Sequence, residues 1–181
     1  MIENLINNSQ SVLKNYIVPG LESRLLGGNM RLFVNTREQF HHIAPHSHRF
    51  DFSCVVLQGH VINMIFKECP PSTCEPVTAV ADLFSVSVSR YKGSPGNYEH
   101  SFARKSFWTN YKNKHVAGDV YMMSHDQVHS IIFSRDAVVL FIEGEEVCDS
   151  SLVLEPSDGG YINTFKVEPW MFMRADCDGK Y

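Results

Sequence analysis

No CxxC pair occurs among the five cysteines, Cys54, Cys69, Cys74, Cys148 and Cys177. An odd set without paired spacing signals neither a zinc ribbon nor a disulfide framework, and it reads as reduced thiols. Cys69 and Cys74 flank a Pro-Pro turn, but five residues of separation fits zinc-site patterns poorly. No run approaches the roughly 20 apolar residues of a membrane helix. The first eight residues, Met-Ile-Glu-Asn-Leu-Ile-Asn-Asn, have neither the basic start nor the apolar centre of a secretory signal, so the expected location is the cytoplasm. There is no basic stripe: 16 Lys and Arg are interspersed with 20 Asp and Glu for a net charge of -4, which leaves a nucleic-acid partner without an electrostatic footprint. Internal repeats and low-complexity tracts are absent too.

What is present is 44% hydrophobic and 20% charged, close to the average of globular domains. A chain of 181 residues is long enough for one core that buries about two-thirds of its unfolded surface. Ile2, Leu5, Ile6, Val12, Leu13, Tyr16 and Ile17 gather on one face at helical spacing, which predicts an amphipathic helix over 2–17. Pro19 and Gly20 interrupt it, and 21–26 is expected to form a second short helix ending at Gly27-Gly28. Residues 1–28 are thus expected to be a helical extension packed on the outside of the domain or on a second subunit, with 29–181 the single β domain.

From Met30 onward the texture is β-rich. Strands are predicted over 30–34, 52–57, 61–66, 83–89, 120–123, 129–133, 137–142 and 161–167, with turns at Gln58-Gly59, Ser134-Arg-Asp and Asp158-Gly-Gly. The stretches 67–78 and 91–111 read as loops or irregular hairpins. Many short strands with little helix predict an all-β sandwich or barrel.

Chemistry enters with His46-Ser47-His48, followed by Gly59 and, far along the chain, by Gly118 and His129. A strand puts residues i and i+2 on one face, so His46 and His48 can point into one cavity, and a histidine from another strand completes a facial triad. Neutral imidazole suits zinc, copper, iron and nickel. Phe50, Phe52, Met122 and Phe133 are candidates for an apolar lining, and Trp170 for closing the mouth. Arg49 and Tyr121 are candidate substrate contacts, and Cys54 shares the parity of His48. The remaining histidines show no partner pattern, and His125 falls in a turn.

The segments His46-Ser-His48-Arg-Phe-Asp51-Phe52 through Gly59, and Gly118 through Ser124-His-Asp126 to His129, resemble the two motifs of the cupin superfamily. The first of those motifs pairs His-x-His with a later glutamate and a glycine turn, and the second runs from glycine through a Pro-x-Gly turn to a histidine. The likeness spans roughly Met30 to Cys148 and looks most like poorly characterised bacterial cupins. It implies a double-stranded β-helix, or jelly roll, enclosing a metal at one end. Two departures stand out: Ser124-His125-Asp126 replaces Pro-x-Gly, and Phe52 stands where the glutamate ligand belongs, with Asp51 just before it. If Phe52 points inward, strand parity turns Asp51 outward, toward a supporting or acid/base role rather than a ligand position. Three-histidine cupins exist among thiol and diketone dioxygenases, so the resemblance still implies a metal.

The expectation is therefore a metal-dependent dioxygenase of a small organic molecule, with iron(II) first and zinc, nickel, manganese or copper also compatible. Two other readings stay open. One is a metal-dependent isomerase or hydrolase with Asp51 as general base, and the other is a small-molecule binder without catalysis. A homodimer is expected through sheet edges or the amino-terminal face.

Overall fold

In the computed structural model the residues described are 1–39, 41–68, 82–91, 98–156 and 164–166. They form one short helix, α1 (Ile2–Asn7), and thirteen strands. The strands are β1 (Ser11–Leu13), β2 (Leu21–Gly27), β3 (Met30–Asn35), β4 (His41–Ile43), β5 (Phe50–Gln58), β6 (His60–Glu68) and β7 (Asp82–Tyr91). The chain continues through β8 (Tyr98–Val116), β9 (Val120–Met123), β10 (Val128–Phe133), β11 (Val138–Glu146), β12 (Ser151–Pro156) and β13 (Thr164–Lys166). No described helix is long and apolar enough to cross a membrane.

Every pairing is antiparallel. One sheet runs β1-β2-β3-β11-β5-β9, the other β10-β6-β8-β7-β12, and β13-β4 makes a small third. The inner faces of the two large sheets share a core: Phe52, Cys54, Val56, Val139 and Phe141 from the first meet Val61, Ile65, Ile131 and Phe133 from the second. This is an all-β architecture as expected from the many short strands, and a jelly roll as the resemblance implied. Its logic is local, since β5 buries Phe52, Cys54 and Val56 and turns the intervening positions outward. Gly59 makes the turn from β5 to β6 at φ +69°. A Cβ there would meet the Ser134 hydroxyl at 2.7 Å and the Ala137 Cα at 3.0 Å, so glycine is required for both reasons.

The amino terminus differs from the expected helices. Only Ile2–Asn7 is helical, it buries nothing, and the segments expected to continue it are β1 and β2, paired with each other and with β3. Six residues are too few for a helix to hold on its own propensity, and pairing with the sheet overrides a spacing that also permits strand. Between them, Ile17 sits at φ +64° in a tight turn in which the Val18 N–H donates to the Tyr16 carbonyl at 2.7 Å. That backbone is unusual for a β-branched residue.

Part of the stretch expected to be loop or irregular hairpin is β8, whose 19 residues pair with both β6 and β7. β4 and β12 were not expected from the pattern either. Cys69, Cys74 and Trp170 lie outside the described residues, as do all but three positions of the strand expected at 161–167.

Candidate metal centre

His46 and His48 lie on the extended run that leads into β5. Backbone bonds fix their register: His46 exchanges two N–H···O bonds with His129 of β10, each 2.9 Å, and the His48 N–H donates to the His125 carbonyl at 2.9 Å. Between them Ser47 turns the other way, donating its N–H to the Leu152 carbonyl and accepting the Leu152 N–H on its hydroxyl, both at 2.9 Å. The i, i+2 alternation thus sends both imidazoles toward His129, which alternates with Ile131 and Phe133 on the inner face of β10.

One nitrogen from each of the three rings lies within 4.8 Å of the others, the one such convergence among the described residues. His48 Nε2 and His129 Nε2 are 3.0 Å apart. Two nitrogens each about 2.1 Å from one ion, at right angles, would lie about 3.0 Å apart, so this spacing fits a shared metal. The outer nitrogens support the same reading. His46 Nδ1 donates to the Ala44 carbonyl at 2.7 Å and His129 Nδ1 to Asn63 Oδ1 at 3.1 Å, which leaves the Nε2 lone pairs of both rings facing inward. Burial holds His46 below its usual pKa, although the Ala44 bond pulls the other way. Burial, then repulsion from the neighbouring imidazoles, holds His48 and His129 well below theirs. All three are therefore neutral at pH 7 and chemically able to bind a cation.

Phe52 points into the same space, its ring centroid 4.5 Å from that of His48 in an edge-on contact. A phenyl group thus occupies the position where the resemblance places a carboxylate ligand. Asp51, one residue earlier, is exposed on the opposite side of β5. Its carboxylate accepts the His125 backbone N–H at 2.7 Å and pairs with His125 Nδ1 at 2.9 Å; these bonds hold its pKa below the usual value. Asp51 thus braces the turn whose carbonyl receives the His48 N–H, and it does not reach the imidazoles.

Arg49 also turns away, to Glu146 at 2.9 Å. Tyr121 does face the interior, directly across from Cys54 on the neighbouring strand, and both side chains line the same cavity. Burial pushes the Cys54 thiol up to about 12 and the Tyr121 phenol well above its usual value, so both keep their protons at neutral pH. Met122, expected in the lining, is instead 77% exposed, and Tyr121 and Met123 take the inner face of β9, because adjacent strand residues cannot share a face.

The histidines form part of the wall of a cavity of about 170 Å³. Phe33, Phe50, Phe52, Phe133 and Phe141 supply much of the rest, and Tyr16 and Ile17 of the amino-terminal segment join them, so that segment does more than pack outside the domain. Two charged residues complete the wall, Arg31 of β3 and Glu143 of β11, joined from Nε to Oε1 at 3.0 Å. Sequence reasoning missed both, and also missed Asn63. The available signal was parity: Arg31 alternates with Phe33, and Glu143 with Phe141, but nothing local says which face turns inward.

No family model matches the chain, and no curated protein matches it. Among solved structures it is similar to hydroquinone 1,2-dioxygenase from Sphingomonas sp. TTNP3 with 4-hydroxybenzoate bound. The two share 10% identity at a TM-score of 0.36, over 76% of this chain and 70% of that one. A likeness of that degree transfers no property of that enzyme to this chain.

Proposed function

We propose that this chain is a metal-dependent oxygenase of a small organic molecule, with His46, His48 and His129 as the protein ligands of one divalent ion, iron(II) by preference. The observation that supports it is the convergence of three neutral imidazoles on the wall of an apolar cavity, with the Phe52 ring in the place of a fourth protein ligand. When bound, such an ion would supply redox and Lewis-acid chemistry at open positions beside the imidazoles.

The side chains account for the rest. Ala44 and Asn63 fix two of the rings in the ligating tautomer. Phe50, Phe52 and Phe141, packed on one another with ring centroids 4.8–6.2 Å apart, keep water from the inner end. Tyr121, protonated, offers a hydrogen bond to a bound molecule. The hydrolase or isomerase reading loses its base, because Asp51 lies outside the cavity.

Metal analysis of tag-free protein, with and without reconstitution by iron(II) under anaerobic conditions, tests the proposal together with oxygen uptake across a panel of small aromatic and aliphatic substrates. The expected result is about one ion per chain, lost in His48→Ala, and turnover that requires oxygen. A chain that binds no ion after reconstitution, or turnover that proceeds equally without oxygen, would overturn it.

A further inference from the structure

The geometry points to Arg31 as the anchor for the carboxylate of a small aromatic acid, which deepens the metal-centre reading and rests on it. Arg31 stands on the inner face of β3, directly across from Phe141 in the β3–β11 register and two residues from Phe33. Its Nε donates to Glu143 Oε1 at 3.0 Å, while Nη1 and Nη2 have no partner among the described residues. A guanidinium held by its Nε edge presents the other edge as a fixed fork, the shape that matches a planar carboxylate with two parallel hydrogen bonds.

Charge points the same way. The Arg31–Glu143 pair cancels itself, so the charge added by a bound divalent ion is positive and favours an anionic guest. The walls select a flat body, since the rings of Phe33, Phe50, Phe52 and Phe141 make up much of the lining. The span is short as well. Glu143 is the cross-strand partner of Phe52, whose ring touches His48, and β3 is two strand spacings, about 10 Å, from β5. An aromatic ring lying over β11, which separates those two strands, would direct its carboxylate to Arg31 and its far edge toward the histidines. The side chains of Arg31 and Glu143 are 34% and 27% exposed, which puts this pair where a ligand enters from solvent, whereas His129 is 3% exposed.

The test is calorimetric titration of the full chain, metal-free and zinc-loaded, with benzoate and phenylacetate against their neutral amides, alongside an independent measurement of zinc stoichiometry. We expect the acids to bind at least tenfold more tightly than the amides. Arg31→Gln should erase that preference in protein that still folds, and Arg31→Lys, which keeps the charge but not the fork, should lose at least threefold. If Arg31→Gln fails to fold, the lysine variant decides. Zinc bound at one per chain with no preference for acids, or a preference that survives in the Arg31 variants, overturns the anchor and leaves the metal centre standing. A preference lost in His48→Ala but kept in Arg31→Gln places the carboxylate on the ion and also overturns it. Arg31-dependent binding of acids by a chain that takes up no zinc supports the anchor and removes the metal centre.

Discussion

Replacing Asn63 by leucine separates metal binding from stability. Asn63 is fully buried, its Oδ1 accepts the His129 Nδ1–H at 3.1 Å, and its Nδ2 makes no hydrogen bond of normal geometry among the described residues. Leucine has nearly the same volume, so no large cavity opens. The substitution leaves the His129 N–H buried and unmatched, which costs about 1–3 kcal/mol, and it removes a poorly bonded amide that carries a penalty of the same order. These effects oppose each other, and the metal-free protein should stay within about 1 kcal/mol of wild type. The affinity for metal has no such compensation. Without its acceptor His129 is no longer held with Nε2 unprotonated, and loss of a partner of this kind weakens metal binding by about 10–100-fold. Competition against a chromophoric chelator gives the dissociation constant, and calorimetry on the metal-free protein gives the melting temperature. A dissociation constant within threefold of wild type in a folded variant would refute the orienting role. A collapse of the metal-free fold would make Asn63 a structural clamp instead.

Acid should weaken the metal-free fold earlier than carboxylate chemistry alone would. His46, His48 and His129 have folded pKa values below their ordinary 6.5, so the unfolded chain binds their protons first, and stability present above pH 6.5 is lost as pH falls below it. Melting temperatures from pH 8 to 5 read this directly, and a flat profile through pH 6 would contradict it. Gly59→Ala, forced into φ +69° against Ser134 and Ala137, should destabilise by about 1–3 kcal/mol in urea unfolding, and a neutral result would mean the turn can shift. Asp51→Asn keeps an acceptor for the His125 N–H and should leave turnover within a few-fold. A general base removed in this way would lower the rate by about 10²–10⁴.

Several strands could be read directly because burial on one face imposes alternation. The β5 run is the clearest case: Phe52, Cys54 and Val56 inward require Asp51 outward, and the structure has that arrangement. The same parity brought His46 and His48 to one side. The reading failed where local signals were ambiguous. Val12, Leu13, Tyr16 and Ile17 fit a helical face as well as a sheet, and the choice fell to pairing with β2 and β3, a contact outside the window being read. β8, rich in Lys, Asn and His, carries little apolar alternation, yet it pairs along both its edges. Met122 cannot line the cavity beside Tyr121, because neighbours on a strand face opposite ways.

Residue chemistry and short-range periodicity were settled in the sequence: which side chains can donate to a metal, which alternate, and that a phenyl stands where a carboxylate was expected. Those properties depend on covalent identity and on a two-residue repeat, so no distant contact is needed to know them. The tertiary structure alone decided that His48 and His129, 81 residues apart, lie with their nitrogens 3.0 Å from each other, that Asn63 stands behind one of them, and that Arg31 and Glu143 face the same cavity. The reason is that each strand can present either face, and only the register and packing of two whole sheets select which faces meet.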